Sequence, residues 1–133
     1  SLVKEITTSH EDLIILNFAN GDMVGHTGDY EAAIKAVETV DECIGKILEN
    51  ISLEEYTIIV TADHGNCEVM RNKDNSINTS HTTNVVPFII TDKSLKLIDG
   101  KLGDIAPTIL TLMGLEVPSK MTGNILIKSR KKR

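Results

Sequence analysis

Thr57-Ile58-Ile59-Val60-Thr61-Ala62-Asp63-His64-Gly65-Asn66 decides how this chain is built. Its first six residues are all apolar or β-branched, with no polar alternation. Such a run reads as a strand buried on both faces. Asp63 and His64 then follow side by side. In a regular strand adjacent side chains point to opposite faces. Both can serve one ligand only where the strand stops and the backbone turns. Gly65 permits that turn, including a positive φ.

Outward from this stretch the pattern repeats. Upstream, Leu13–Phe18 (LIILNF) is a second apolar run of strand length. Between the two runs, Val37, Val40, Ile44, Ile47, Leu48 and Ile51 recur at three- and four-residue steps, which predicts a helix with one apolar face. Asp29 stands where its N-cap belongs, and Glu31 lies in the first turn, where the helix dipole favours an acid. Downstream, Val85–Thr91 (VVPFIIT) reads as a third strand. Pro87 places it at a sheet edge or at a strand start. Ile105–Met113 reads as a short helix stopped by Gly114, with Pro107 tolerable only in the first turn. Leu2–Ser9 suggests a short helix or the end of one. Asp63–Ser80 is polar and loop-like, with a turn near Asn72–Asn75.

Strand, helix and strand in succession predict a parallel sheet covered on both faces, a three-layer α/β/α fold. Three strands are few for that class. The sheet is therefore expected to be incomplete, with the chain a fragment of a larger domain.

Composition narrows the function classes. The chain has 133 residues, 41% hydrophobic but only 3% aromatic, so its core must come from Ile, Val and Leu. The net charge is −5, although Lys128, Arg130, Lys131, Lys132 and Arg133 crowd the C-terminus. An acidic body argues against nucleic-acid binding. The basic tail reads as a solvated terminus, with an address signal or an anion contact as the other possibility. No apolar run reaches the roughly 20 residues of a membrane span. Ser1 is followed by no basic-then-apolar leader, so no signal peptide is expected. Cys43 and Cys67 have neither CxxC nor zinc-type spacing, which suggests a reducing, cytoplasmic compartment. Asn50-Ile51-Ser52 and Asn78-Thr79-Ser80 match the glycosylation sequon and are read as chance.

The chemistry-bearing residues gather just after the strands, where open α/β sheets bind ligands. Asp22 and His26 are four apart and share one face of a helical turn. Asp63 and His64 close the second strand, and His81 precedes the third. Gly21, Gly25 and Gly28 would let backbone approach a ligand closely. A mixed carboxylate and imidazole set suits Mn²⁺ or Zn²⁺, and the absence of Cys from the set speaks against a structural zinc site. Two ions clamping a phosphoryl group, one polarising its oxygens and one activating a nucleophile, would use such a set. Each element alone has a plainer reading: an Asp-His pair as a surface turn, His81 as a hydrogen-bonded turn histidine, His10 as a surface residue. Cys67 reads as a bystander, and Glu68 as an exposed carboxylate or an outer-shell acid.

Asn17–Gly28, Tyr30-Glu31-Ala32-Ala33, Val40-Asp41, Thr61–Asn66, His81-Thr82-Thr83-Asn84, Asp104–Leu110 and Met121-Thr122-Gly123 together resemble the cofactor-independent phosphoglycerate mutases, of the alkaline-phosphatase superfamily. The resemblance implies that Asp22, His26 and His81 are ligands of one Mn²⁺, and Asp63 and His64 of a second. Zn, Mg or Co are other possible ions, and the fragment alone would hold one or none. Gly21 stands where many members have Pro, and Cys67 where many have Ala. The implied reaction interconverts 3-phosphoglycerate and 2-phosphoglycerate through a phosphoserine, in glycolysis and gluconeogenesis. Residues 1–133 would be the C-terminal part of the metal-binding phosphatase domain. The nucleophilic serine is expected upstream, and the domain carrying the substrate-gripping arginines is absent. No residue of this chain is assigned as catalytic: Ser9 and Ser80 are rejected as nucleophiles, and the chain alone is expected to be inactive. The alternatives are a phosphopentomutase-like phosphotransferase or phosphatase of the same superfamily, and a non-catalytic metal-binding fragment. Phosphoglycerate is the expected partner, with no nucleic acid and no membrane. Self-association through an uncovered face is a further expectation.

Overall fold

The computed structural model describes residues 3, 6, 8 and 11–130. Val3, Ile6 and Thr8 are helical. The rest of the predicted Leu2–Ser9 helix, His10, Ser9 and the tail beyond Arg130 lie outside the described residues. Helix α1 spans Asn20–Gly25 and helix α2 spans Tyr30–Glu49. Strands β1 (Ile59–Thr61), β2 (Phe88–Ile90) and β3 (Leu95–Leu97) follow. A 3₁₀ turn at Leu102–Asp104, helix α3 (Ile105–Leu112) and strand β4 (Ile127–Arg130) complete the order. The chain is a mixed α/β protein with small sheets.

The chain divides into two units, Ser1–Ile89 and Ile90–Arg133. In the first, α2 forms where the periodicity places it. Its N-terminus is capped as expected, with the Asp29 carboxylate accepting from Ala32 N at 3.0 Å. The buried side of α2 is nevertheless made by Ala33 and Ala36. Val37 is 53% exposed, so the apolar stripe of the sequence is only partly covered. Strands β1 and β2 are neighbours in a two-stranded sheet. Both are shorter than the predicted runs, and Pro87 stands just before β2, at a strand start. The Asn72–Asn75 turn is present: Asn75 N donates to Asn72 O at 2.9 Å, and Asn75 has φ +67°.

Leu13–Phe18 is not the buried strand its composition predicts. These residues form no ladder, and Ile15 is 82% exposed. Strand character requires a neighbouring backbone to take the N–H and C=O groups. An apolar run specifies no such neighbour, and none pairs with it among the described residues.

In the second unit, β3 and β4 pair antiparallel, with Leu95 opposite Arg130 and an irregularity between Lys96 and Leu97. Leu95 and Leu126 are buried, but the centre is polar. Asp104 Oδ2 accepts from Lys101 N at 2.9 Å, and Oδ1 accepts from Lys101 Nζ at 2.6 Å and from Asn124 N at 2.8 Å. Thr108 Oγ1 donates to Asp104 O and accepts from Leu126 N. These bonds hold the start of α3 to the segment before β4. Pro107 lies in the first turn of α3, where its missing N–H is not needed. Gly114, with φ +71°, ends the helix as predicted.

Candidate metal centre

The site is built in the first unit from three segments. The turn of α1 continues through its C-cap, because His26 N donates to Asp22 O. That geometry brings His26 Nε2 to 3.2 Å from Asp22 Oδ1. After β1 the chain turns at Asp63-His64-Gly65 and delivers His64 Nε2 to 3.7 Å from the same oxygen. The loop before β2 delivers His81 Nε2 to 2.8 Å from it. Gly65 and Thr82 form an antiparallel bridge, and Thr82 N donates to Gly65 O at 2.8 Å. The His64 and His81 loops are thereby bound together. Gly65 does not adopt a positive φ; it is needed for its size, since a Cβ there would collide with Glu68 Oε1 and Thr82 Oγ1.

The ligand atoms of Asp22, His64 and His81 all lie within 4.8 Å of one another. His26 joins them, its Nε2 3.0 Å from His81 Nε2. The His64 and His81 rings stack with centroids 3.6 Å apart. Asp63 stands aside: its carboxylate is 84% exposed and lies 3.5 Å from His64 Nε2. All five predicted ligands are therefore neighbours, but Asp22 meets His64 as closely as a shared site would require. The division into an Asp22/His26/His81 group and an Asp63/His64 group is not visible in the distances alone.

The proton inventory fits a cation. The Thr79 carbonyl can only accept, so His26 Nδ1, 2.6 Å away, carries the hydrogen. In the neutral ring His26 Nε2 is then a lone pair aimed at His81 and Asp22. Anchoring one imidazole nitrogen on a carbonyl while the other faces the centre is the usual way a metal-binding histidine is oriented. Without a cation, His81 Nε2 must hold the proton that bridges it to Asp22. A divalent ion could replace that proton as the positive partner.

Electrostatics keep Asp22 ionised. Burial pushes its carboxyl up, but the His81 hydrogen bond and the surrounding imidazoles His26, His81 and His64 outweigh it, and it sits below the ordinary carboxylate value. Asn66 Nδ2 donates to Asp22 Oδ1 at 3.3 Å. The Cys67 thiol is pushed up by burial and by the nearby Glu68 and Asp22 charges. It donates to Gly21 O at 3.0 Å, which agrees with a bystander. Gly25 is packed against Asn66 and Cys67.

Glu68 is exposed, as the sequence reading favours, but its carboxylate is engaged. Oε2 accepts from Asn66 N at 2.6 Å, and Oε1 accepts from Asn84 Nδ2 at 3.1 Å and from the Thr82 hydroxyl. The Thr82 bond above all holds its carboxyl below the ordinary range. Its neighbours in sequence carry no sign of this, because Thr82 and Asn84 lie far along the chain. Arg71, the sole arginine before the tail, donates to Asn75 O in a turn and builds no anion clamp. Asn78 Nδ2 is engaged with Val69 O, so that sequon amide has a structural role.

Comparison with known proteins agrees with this chemistry. Over 128 residues the chain is 59% identical to a protein of Flavobacterium johnsoniae named 2,3-bisphosphoglycerate-independent phosphoglycerate mutase, covering 96% of this chain and 25% of that protein. Proteins of the same name from Clostridium perfringens strain SM101 and Bacteroides thetaiotaomicron are 54% and 50% identical, each with 26% of its length covered and with 95% and 96% of this chain. The chain thus spans about a quarter of the length of the curated relatives it matches. The model of the metalloenzyme superfamily matches residues 1–117. With its carboxylate and imidazoles converging from three segments inside that match, the chain belongs to the metalloenzyme superfamily.

Proposed function

We propose that this chain is the C-terminal part of the metal-binding phosphatase domain of a 2,3-bisphosphoglycerate-independent phosphoglycerate mutase. The observation that carries this reading is the convergence of Asp22, His64 and His81 within 4.8 Å, in a chain 59% identical to a protein of that name. The whole enzyme is an isomerase that interconverts 3-phosphoglycerate and 2-phosphoglycerate through a phosphoserine, in the cytoplasm, as a step of glycolysis and gluconeogenesis. Its fold is the three-layer α/β/α arrangement, of which these residues supply only part.

Asp22, His26 and His81 would hold one Mn²⁺, and Asp63 and His64 the second. Such ions polarise phosphoryl oxygens and make a serine hydroxyl ionisable near neutral pH. The protein's own part is to hold the ligands. Asp22 supplies the permanent negative charge, and Thr79 O fixes which nitrogen of His26 faces the centre. Asn66 steadies the Asp22 carboxylate. The second site has only two ligands in this chain, so it is the weaker. The nucleophile and the substrate-binding arginines belong to the other three quarters of the enzyme. Phosphoglycerate is the partner proposed, with neither nucleic acid nor membrane, and the apolar surface at Leu13–Leu16 favours self-association of the isolated chain.

A coupled assay with 3-phosphoglycerate and Mn²⁺, on this chain and on the full-length mutase, tests the reading. Turnover by the full-length protein alone is expected. Positioning of a nucleophile in line with the leaving oxygen supplies much of the rate in phosphoryl transfer, and this chain cannot provide it. Comparable turnover by the chain alone would place the nucleophile within these residues and overturn the assignment.

A further inference from the structure

The ligand-bearing loops after β1 and before β2 are held by more than the single bridge of Gly65 and Thr82. Glu68 lies beside both. Its carboxylate is an acceptor-only group, and every partner it meets is a donor: the Asn66 amide, the Thr82 hydroxyl and the Asn84 side-chain amide. Charge-assisted bonds of this kind are roughly twice as strong as neutral ones. Asn66 in turn passes the constraint to Asp22, because its side chain donates to Asp22 Oδ1 while its backbone N–H is held by Glu68. Asn66 is itself buried. One carboxylate therefore reaches all three segments of the centre: α1 through Asn66, the His64 turn through the Asn66 backbone, and the His81 loop through Thr82 and Asn84.

We propose that Glu68 is a positioning residue that fixes the His64 turn against the His81 loop, and so sets the spacing of the imidazoles around Asp22. It touches none of the ligand atoms and takes no part in the chemistry. The proposal rests on the reading of Asp22, His26, His64 and His81 as metal ligands. Gly65 fits it, since a Cβ at that point would meet Glu68 Oε1 and Thr82 Oγ1 and force their bond to shift. A carboxylate is required rather than an amide, because Gln would present N–H groups to at least one of the three donors.

Two measurements on this chain test it. The first is amide hydrogen exchange of Thr82, whose N–H donates to Gly65 O, in metal-free protein. Glu68→Ala should accelerate exchange at Thr82 at least about tenfold while the amides of α2 keep their protection. The second is Mn²⁺ titration by calorimetry. Glu68→Ala and Thr82→Val should weaken binding by about 10-fold or more, within the range seen when outer-shell partners are lost. Thr82→Ser, which keeps the hydroxyl, should recover much of it, whereas Glu68→Gln, which sets an N–H against a donor, should remain weakened. If Glu68→Ala does not fold, Thr82→Val carries the test. Unchanged Mn²⁺ affinity in a folded Glu68→Ala or Thr82→Val protein, or unchanged exchange at Thr82, would overturn the proposal. Accelerated exchange in a chain that binds no Mn²⁺ even unaltered would support the clamp and count against the metal reading instead.

Discussion

His81 Nε2 lies 2.8 Å from Asp22 Oδ1, across a sequence separation of 59 residues. A contact of that kind must be secured at both ends. Asp22 is secured by the turn of α1 and by Asn66, and His81 by the pairing of its loop with Gly65. The centre is therefore a tertiary product, although each of its parts is a local motif.

Acid stability should depend on Asp104. Its carboxyl is held down at about 2, chiefly by the Lys101 ammonium and then by the Lys101 and Asn124 amides. The unfolded chain, with the ordinary value of 3.8, takes up the proton first. The stabilisation is thus fully present above about pH 4 and is lost as pH falls towards 2. Denaturant unfolding of the natural chain and of Asp104→Asn between pH 7 and pH 2.5 checks this. The variant should be the less stable at pH 7, and the gap should narrow through the window. A constant gap would refute the assignment.

Thr108→Val should be costly despite its near-equal volume. Thr108 is fully buried, and its hydroxyl accepts from Leu126 N. The methyl group leaves that amide without a partner, a loss of about 1–3 kcal/mol. Thr108→Ser should recover part of it. Equilibrium unfolding of the two variants gives the comparison.

Asp29→Ala should destabilise the chain by about 1 kcal/mol, the usual effect of losing an N-cap side chain. Asp29→Ser, which can still accept from Ala32 N, should be nearly neutral. A loss equal to that of Ala would show that charge rather than capping matters.

Features set by neighbours in sequence were legible before the structure. Asp29 with Ala32, Asp22 with His26, and Gly114 after α3 are all within one turn, so residue type and spacing suffice. Leu13–Phe18 was misread because a strand is defined by its partner, and composition names none. Glu68 reads from its chemistry chiefly as an exposed carboxylate, which it is, but its engagement is not legible, because its partners Thr82 and Asn84 are 14 and 16 residues away. The Asp104–Asn124 and Thr108–Leu126 bonds likewise join distant segments. The residues of the metal centre were legible, but their distances were not. Only the structure places His64 as well as His81 beside Asp22.

Self-association should accompany the exposed apolar residues of the first unit. Ile15 is 82% exposed and Val85 98% exposed, each within a run that composition marks as buried. Such surface favours association. Sedimentation velocity across a concentration series should show a dimer or larger species. Substitution of Ile15 and Leu16 by Ser should shift it towards monomer. A natural chain that stays monomeric at high concentration would contradict this.

Asp22 is the common partner of the three imidazoles, and its removal is the most direct challenge to a metal centre here. Calorimetric titration of the metal-free chain with Mn²⁺, alongside Asp22→Asn, measures it. The natural chain should bind Mn²⁺, and Asp22→Asn should bind at least about 10-fold more weakly while keeping its fold, because an amide cannot supply the anionic oxygen that the ion requires. Equal affinity in the two proteins, or no binding by the natural chain, would contradict the assignment of Asp22, His26, His64 and His81 as metal ligands.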